Sequence, residues 1–260
     1  MTPQTRFVGA AGRRLECIDI PAHQVQRPTL VFLHEGLGSV AMWRDFPVRV
    51  AHATGCRTVV YSRYGYGQSD ILEAPHGPDY MHREAREALP DLLHALGIER
   101  PVLVGHSDGA SIALIHAGDG RWDCAGLALM APHCFVEDVS IRSIAAAKVA
   151  FETTDLPAKL GKYHRDVQRT FWGWNDIWLH PDFRSWNIEA CLPGIRCPIL
   201  AIQGEDDEYG TMAQIEAIAA GACNSPGVEL LKLADCRHSA HKDQTAAVIE
   251  AVNRFVESLG

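Results

Sequence analysis

Short apolar runs recur along the chain and alternate with longer segments of helical spacing. Six runs are nearly continuous in apolar residues, as strands buried on both faces of a sheet should be: residues 29–33, 57–61, 102–104, 126–130, 199–203 and 229–233. Residues 14–20 predict a further strand, antiparallel and at the sheet edge. Helical spacing predicts helices over 83–96, where Gly97 follows as a stop signal, and over 244–259. The alternation indicates an α/β fold: a mostly parallel central sheet with helices on both faces.

Residues 132–197 break this alternation. They hold no clear strand, follow a helical pattern and are rich in tryptophan: Trp172, Trp174, Trp178 and Trp186. A segment of this length is too long for a plain loop in a compact domain. It predicts a helical lid inserted into a core formed by residues 1–131 and 198–260. Lids cover clefts, and aromatic side chains dominate pocket walls. We therefore expect at least one tryptophan to line a substrate pocket, with Trp172, Trp174 and Trp178 as candidates. The alternative is that the tryptophans only pack the lid helices against one another.

A Gly-x-Ser-x-Gly motif, with Ser107 at its centre, spans residues 105–109. The strand 102–104 precedes it and a helical run over 110–117 follows, which is the strand–turn–helix setting that this motif requires. Such a turn is strained and holds the hydroxyl above the sheet. Glycines flank it because side chains there would be crowded. The helix directs its positive end at developing negative charge. Ser107 is therefore the candidate nucleophile.

A serine nucleophile needs an adjacent base, and in this setting the chain order is serine, acid, histidine. Four carboxylates follow the strand 199–203: Glu205, Asp206, Asp207 and Glu208. Two histidines follow the strand 229–233: His238 and His241. The carboxyl ends of parallel strands share one edge of the sheet, where ligands bind. We expect both loops to meet Ser107 there, with Asp206 or Asp207 as acid and either histidine as base.

Taken together, these motifs resemble the lid-bearing, single-domain esterases of the α/β-hydrolase fold, and the resemblance covers almost the whole chain. It implies an acid three residues after the glycine that ends the strand, which favours Asp207 over Asp206. It also implies a histidine in a Gly-His-Ser-type turn, which favours His238 over His241. The sequence departs from that pattern at Arg237, where glycine is commoner.

The loop over residues 33–39 resembles the His-Gly-x loop of the same family. The resemblance implies that the backbone N–H groups of Gly36 and Asp108 form the oxyanion hole. Glu35 stands where glycine is common, and a carboxylate aimed inward would oppose negative charge on the substrate. We expect Glu35 to turn away and pair with a basic group such as Arg63, and His34 to fix the loop by hydrogen bonds.

These residues predict a serine hydrolase that cleaves a small to medium, apolar or aromatic carboxylic ester through an acyl-enzyme, with no cofactor and no metal. One alternative is carbon–carbon bond hydrolysis of a vinylogous diketone made by aromatic ring cleavage. Acyl transfer or perhydrolysis would use the same acyl-enzyme. A different class is a ligand-binding receptor with slow or no turnover. Dehalogenases and epoxide hydrolases of this fold carry aspartate where Ser107 stands, so halide release and epoxide opening are disfavoured.

Composition and charge limit the classes of molecule that the protein is expected to bind. The net charge of −8 and the lack of a basic stripe argue against nucleic-acid binding. No apolar run approaches the roughly 20 residues that span a membrane. Residues 1–8 carry no apolar stretch typical of a secretory signal. The eight cysteines show no CxxC pair or zinc spacing and indicate buried thiols in a reducing compartment. We predict a cytoplasmic protein with a small-molecule substrate, while the oligomeric state stays open.

Overall fold

The computed structural model describes residues 5–24 and 26–260, so the part of the signal-peptide prediction that falls on residues 1–4 lies outside the described residues. Within this part of the chain, eight strands form one sheet in the order β1-β2-β4-β3-β5-β6-β7-β8. The strands are β1 (Thr5–Ala10), β2 (Arg13–Ile20), β3 (Leu30–Leu33), β4 (Thr58–Tyr61), β5 (Val102–His106), β6 (Gly126–Met130), β7 (Ile199–Gly204) and β8 (Val228–Leu233). β3 to β8 are parallel, and β1 and β2 are antiparallel additions.

The six predicted central strands are confirmed to within two residues at each end. The predicted strand at 14–20 is also present, as β2, and it is antiparallel. Its placement at the sheet edge was wrong, because β1 pairs along its outer side. The sequence did not predict β1, because most of this strand is exposed and it has no buried apolar run. Phe7 is its only large aromatic side chain, and it is exposed.

Ten α-helices lie in the described residues: α1 (Phe46–Thr54), α2 (Tyr80–Arg83), α3 (Leu89–Ala95), α4 (Asp108–Gly118), α5 (Asp138–Thr153), α6 (Leu156–Leu160), α7 (Val167–Trp178), α8 (Ala213–Gly221), α9 (Ala240–Asp243) and α10 (Thr245–Ser258). The helix predicted over 83–96 starts earlier, at Tyr80, and includes a π-helical turn at Glu84–Ala88. Pro90 follows that turn and has no N–H to continue the regular α-helical ladder.

Alternate side chains of the central strands pack on opposite faces of the sheet. On β3, Val31 and Leu33 join the apolar cluster that includes α3, α4 and α8. Leu30 and Phe32 join the cluster formed with α1 and α10. Both faces are therefore covered by helices, which confirms the predicted fold class and explains why these strands read as continuous apolar runs.

The chain between β6 and β7, residues 132–197 (the inserted segment), is mainly helical, as predicted. It contains α5, α6 and α7 and two 3₁₀ turns, Pro181–Ser185 and Glu189–Gly194. An isolated bridge between Phe135 and Asn187 joins its two ends. None of the helices in the described part of the chain is long and apolar enough to cross a membrane.

Candidate active site

Ser107 lies on a strained turn between β5 and α4. Its backbone has φ 53° and ψ −120°, in the positive-φ region that residues other than glycine rarely adopt. A Cβ atom on Gly109 would lie 2.1 Å from the carbonyl oxygen of Leu33, and one on Gly105 would lie 2.5 Å from the Cα of Ala110. The backbone packs too tightly here for any side chain at the two glycine positions. The turn predicted from the motif is therefore present.

Asp207 and His238 meet at the same edge of the sheet. His238 Nδ1 lies 2.9 Å from both Asp207 Oδ1 and Oδ2. Asp207 follows β7 and His238 follows β8, the strand next to it. Since Nδ1 faces a carboxylate, it carries the proton, and Nε2 is the nitrogen left to accept one.

The Asp207 carboxylate is held by further donors. Oδ1 accepts from the N–H groups of Tyr209 (2.7 Å) and Gly210 (3.2 Å), and Oδ2 accepts from Gln203 Nε2 (2.6 Å). Burial alone would raise the pKa of Asp207, but the hydrogen bond and charge of His238 and the Tyr209 N–H together lower the pKa. Asp207 is therefore a fixed, ionised partner for His238.

The two alternatives from the sequence lie elsewhere. Asp206 is exposed and its N–H donates to the carbonyl of Cys236 (3.0 Å). His241 is buried, with its ring centroid 4.9 Å from that of Trp43 and 5.4 Å from that of Phe46. The structure thus brings Asp207 and His238 together, while His241 packs against aromatic side chains.

Arg237 does not need the freedom of glycine. The positive φ of this loop falls on Asp235 (φ 51°) instead. The Arg237 N–H donates to Asp243 (3.0 Å), and its guanidinium lies 3.3 Å from Glu208. Glu208 in turn accepts from the His238 N–H (3.2 Å). The departure from the family pattern therefore adds an ion pair beside the histidine loop.

Two backbone N–H groups lie at the positions that the sequence indicated for an oxyanion hole. Gly36 follows β3, and Asp108 is the first residue of α4. Neither N–H donates to a protein acceptor within residues 5–24 and 26–260. Both groups can therefore donate to a ligand. Trp174 packs so closely against this loop that a Cβ atom on Gly36 would lie 2.0 Å from Trp174 Nε1.

His34 fixes the loop after β3, as expected. Its Nε2 accepts from the Arg63 N–H (3.0 Å), so Nδ1 carries the proton that it donates to the Glu35 carbonyl (2.7 Å). Burial and the charge of Arg63 lower the pKa of His34 well below its ordinary value, so the ring is neutral. With both nitrogens used, His34 has a structural role.

Glu35 does turn to a basic group, but Arg63 is not that group. Arg63 donates from Nη2 to the backbone carbonyl of Glu35 (2.9 Å), whereas Glu35 Oε2 lies 3.5 Å from His106 Nδ1. Arg63 instead has the Asp108 carboxylate as its nearest acid, at 3.8 Å. The expected pairing was wrong because the Arg63 guanidinium lies near the Asp108 carboxylate instead. The sequence had not singled out the Asp108 side chain.

The Asp108 side chain is an unexpected part of the site. It is buried, and its Oδ2 accepts from the Tyr80 hydroxyl (2.7 Å), which accepts in turn from Trp178 Nε1 (3.0 Å). Burial raises the pKa of Asp108, against the opposing charge of Arg63. Trp178 therefore links the inserted segment to the residue that follows Ser107.

Three more rings near His238 were not singled out in the sequence. Tyr209 lies 4.7 Å, His106 5.1 Å and His133 5.8 Å from His238, centroid to centroid. Burial and the charge of His238 lower the pKa of His133 to about 3, so its ring is neutral. His133 comes just after β6, at the carboxyl edge of the sheet. That position was the one feature of the sequence that could have marked His133 as a site residue.

The three candidate tryptophans of α7 separate into two groups. Trp174 lies on Gly36 and Trp178 on Tyr80, as described above. Trp172 is half-buried; its Nε1 donates to Gln168 (3.1 Å) and its ring packs edge-on against Phe151 and Phe171. The contacts of Trp172 thus lie within the inserted segment itself.

A cavity of about 270 Å³ lies beside this site. Its wall includes Arg63, Tyr66, His76 and Tyr80, but none of Ser107, Asp207 and His238. One residue of its wall, Tyr80, donates to the Asp108 carboxylate, next to Ser107 in the chain. Within the described residues, no group of three His, Cys, Asp or Glu side chains is arranged to hold a metal ion.

Residues 30–251 match the model of the alpha/beta hydrolase family, and the chain belongs to that family. It is 33% identical over 90 residues to the mouse sn-1-specific diacylglycerol lipase ABHD11, covering 35% of this chain and 28% of that protein. It is 28% identical over 154 residues to the human serine hydrolase BPHL, covering 57% of this chain and 53% of that protein. The chain thus spans about half or less of these curated relatives.

The fold agrees with that of solved structures. Proline iminopeptidase from Mycobacterium smegmatis superimposes with a TM-score of 0.74 at 18% identity, over 98% of both chains. The structural similarity confirms the α/β-hydrolase fold. Membership of the family confirms that the protein is a hydrolase, without naming its substrate. Because one fold hosts many reactions, the substrate has to be argued from the site.

Proposed function

We propose that this protein hydrolyses a small to medium carboxylic ester through an acyl-enzyme on Ser107. His238 takes the proton of the hydroxyl during attack and returns it to the leaving alcohol. Asp207 holds the imidazole in the required tautomer and stabilises the imidazolium. Water then attacks the acyl-enzyme with His238 again as base, and the acid is released.

The contact between Asp207 and His238, beside the strained turn at Ser107, carries this proposal. An acid on Nδ1 leaves Nε2 free to act as a base, and a serine without a base is a poor nucleophile. In the described structure the Ser107 hydroxyl makes no hydrogen bond to His238. Such contacts are often loose before substrate binds and tighten in the reactive complex.

The free N–H groups of Gly36 and Asp108 support an oxyanion hole. A tetrahedral intermediate places negative charge on the former carbonyl oxygen, and two fixed N–H donors stabilise it without reorganisation. The start of α4 adds the positive end of its dipole at the same point. Each donor contributes roughly 3 kcal/mol of transition-state stabilisation.

The inserted segment is proposed as a lid over this site. His164 bridges two core loops, since it accepts from the Gly67 N–H (3.0 Å) through Nδ1 and bonds the Leu37 carbonyl (3.0 Å) through Nε2. Thr170 donates to the Gly65 carbonyl (2.7 Å). With Trp174 over Gly36, the lid places an aromatic surface next to the oxyanion donors. We infer that the substrate carries an apolar or aromatic group.

The relatives support ester chemistry. One of them is named as a diacylglycerol lipase and another as a serine hydrolase.

A reducing, cytoplasmic location is proposed from the cysteines, all eight of which are free thiols, with Cys223 exposed.

Mixing the protein with p-nitrophenyl acetate or butyrate tests the reaction. We expect a burst of p-nitrophenol followed by steady turnover, because an acyl-enzyme forms faster than it is hydrolysed. Heat-unfolded protein is the control for spontaneous hydrolysis. Hydrolysis of an aromatic ring-cleavage product, with neither ester cleaved, would contradict the proposal and favour carbon–carbon bond hydrolysis. Reaction with no substrate of either kind would favour a receptor.

A further inference from the structure

The buried guanidinium of Arg63 lies between the two residues that supply the proposed oxyanion hole. Arg63 follows β4, and its side chain is 3% exposed. Its Nη2 donates to the backbone carbonyl oxygen of Glu35 (2.9 Å) and lies 3.8 Å from Asp108 Oδ2. Glu35 immediately precedes Gly36, which carries one of the proposed N–H donors, and Asp108 carries the other. One side chain therefore reaches both halves of the oxyanion hole.

The contact with the Glu35 carbonyl bears directly on the Gly36 N–H, because the two groups belong to one peptide unit. A trans peptide is planar, so its C=O and N–H point in opposite directions, and the described residues contain no cis peptide bond. Whatever holds the carbonyl therefore also fixes the direction of the N–H. Three donors converge on this oxygen: the Gly38 N–H (3.0 Å), His34 Nδ1 (2.7 Å) and Arg63 Nη2 (2.9 Å).

Of these three donors, only Arg63 comes from another loop, and its own place is fixed. The Arg63 N–H donates to His34 Nε2 (3.0 Å), which ties the loop after β4 to the loop after β3. The guanidinium carbon lies 4.7 Å from the centroid of the Tyr66 ring, as in a cation–π contact. A guanidinium is planar and presents its N–H donors in a rigid fork, whereas a lysine ammonium is a flexible point charge. Arg63 can therefore set a direction as well as supply a charge.

The Asp108 carboxylate is held between two groups. Its Oδ2 accepts from the Tyr80 hydroxyl (2.7 Å) on one side and lies near Arg63 on the other. Asp108 is 1% exposed, and burying a carboxylate is costly unless an opposite charge compensates it. The positive charge of Arg63 provides that compensation beside the Ser107 turn, where uncompensated negative charge would oppose an oxyanion.

We propose that Arg63 is a positioning residue that aligns the two oxyanion donors with each other. It fixes the direction of the Gly36 N–H through the Glu35 carbonyl, and it holds the residue of the second N–H through the Asp108 carboxylate. Arg63 acts through these two residues and is assigned no contact with the reacting atoms. This role rests on the proposed function, since an oxyanion hole matters only where negative charge forms on a substrate oxygen.

Burst kinetics of Arg63→Met test the alignment. Acylation and deacylation both pass through an oxyanion, so both should slow by about 10- to 100-fold with a much smaller change in KM, somewhat less than the loss of a whole donor. The burst amplitude should stay near one equivalent per chain, whereas a merely structural role would lower it with the number of folded molecules. Arg63→Lys keeps the charge and should recover part of the rate. Wild-type rate constants in Arg63→Met would overturn the proposal.

Added guanidinium separates alignment from charge. Arg63 lies in the wall of the cavity of about 270 Å³, so Arg63→Ala leaves a path for a small cation to the vacated place. We expect guanidinium, far below the concentrations that unfold proteins, to restore part of the kcat lost in Arg63→Ala. Methylammonium has the same charge without the planar fork and should restore much less. Equal rescue by the two cations would overturn the aligning role.

The ¹⁵N resonance of the Gly36 amide tests the same contact without any substrate. A hydrogen bond polarises the whole peptide unit that accepts it, so loss of a donor on the Glu35 carbonyl should move the Gly36 nitrogen upfield in Arg63→Met. Arg83→Met is the matched control, because Arg83 is exposed and lies in the wall of the same cavity; its Gly36 resonance and kinetics should match the wild type. An unchanged Gly36 resonance in Arg63→Met would overturn the proposal. Failure of the wild type to cleave any ester would refute the proposed function instead and leave this NMR result standing.

Discussion

Ser107→Ala is expected to lower kcat for p-nitrophenyl acetate by at least about 10⁴-fold, since removal of the nucleophile in serine hydrolases costs this much or more. Alanine differs from serine only by the hydroxyl, and it meets the same strain at φ 53°. The turn, both N–H donors and the Asp207–His238 contact should remain. The rate that is left should show no burst, because no acyl-enzyme can form.

Stopped-flow release of p-nitrophenol measures this effect, and thermal unfolding confirms that the variant is folded. Ser258→Ala, at the far end of α10, is the matched control and should keep wild-type kinetics. An undiminished burst in Ser107→Ala would mean that another residue carries the acyl group, and the proposed site would be wrong.

Asp207→Asn is expected to lower kcat by about 10⁴-fold with a much smaller change in KM. The amide that replaces the carboxylate can donate to His238 Nδ1, which favours the tautomer with the proton on Nε2, and that nitrogen then cannot act as a base. The new amide would also have to satisfy the Tyr209 N–H and Gln203 Nε2, which in the wild type bind the carboxylate. The measurement is steady-state hydrolysis of p-nitrophenyl acetate.

Asp206→Asn provides the matched control, since it makes the same chemical change one residue earlier. Asp206 is exposed and makes no hydrogen bond to the His238 ring in the described structure, so its variant should keep wild-type kcat. Equal losses in both variants would point to a general effect of loop charge. A loss confined to Asp206→Asn would reverse the assignment of the acid.

The sequence predicted those parts of the fold that short-range patterns determine. Strands buried on both faces, such as β3 and β7, appear as apolar runs, whereas the exposed β1 leaves no such signal. The tryptophans show the same limit. Trp174 and Trp178 are four residues apart and share one face of α7, while Trp172 lies off that face. Helical spacing alone is enough to separate Trp172 from the other two.

The unpredicted parts of the site depend on contacts between distant segments. The Glu35 carboxylate meets His106 and not Arg63, because Arg63 lies against Asp108 and the Glu35 carbonyl. No local pattern reports which of several basic groups lies nearest to a carboxylate after folding. The Asp108 side chain was overlooked for a similar reason, since its partner Tyr80 belongs to another helix.

Labelling with a fluorophosphonate, followed by peptide mass spectrometry, identifies the nucleophilic serine, because these reagents capture a serine that an adjacent base has activated. We expect one phosphonate per chain on the peptide that contains Ser107, with labelling lost in Ser107→Ala and strongly slowed in Asp207→Asn. A label on any other residue, or no label on folded protein, would mean that Ser107 is not an activated nucleophile.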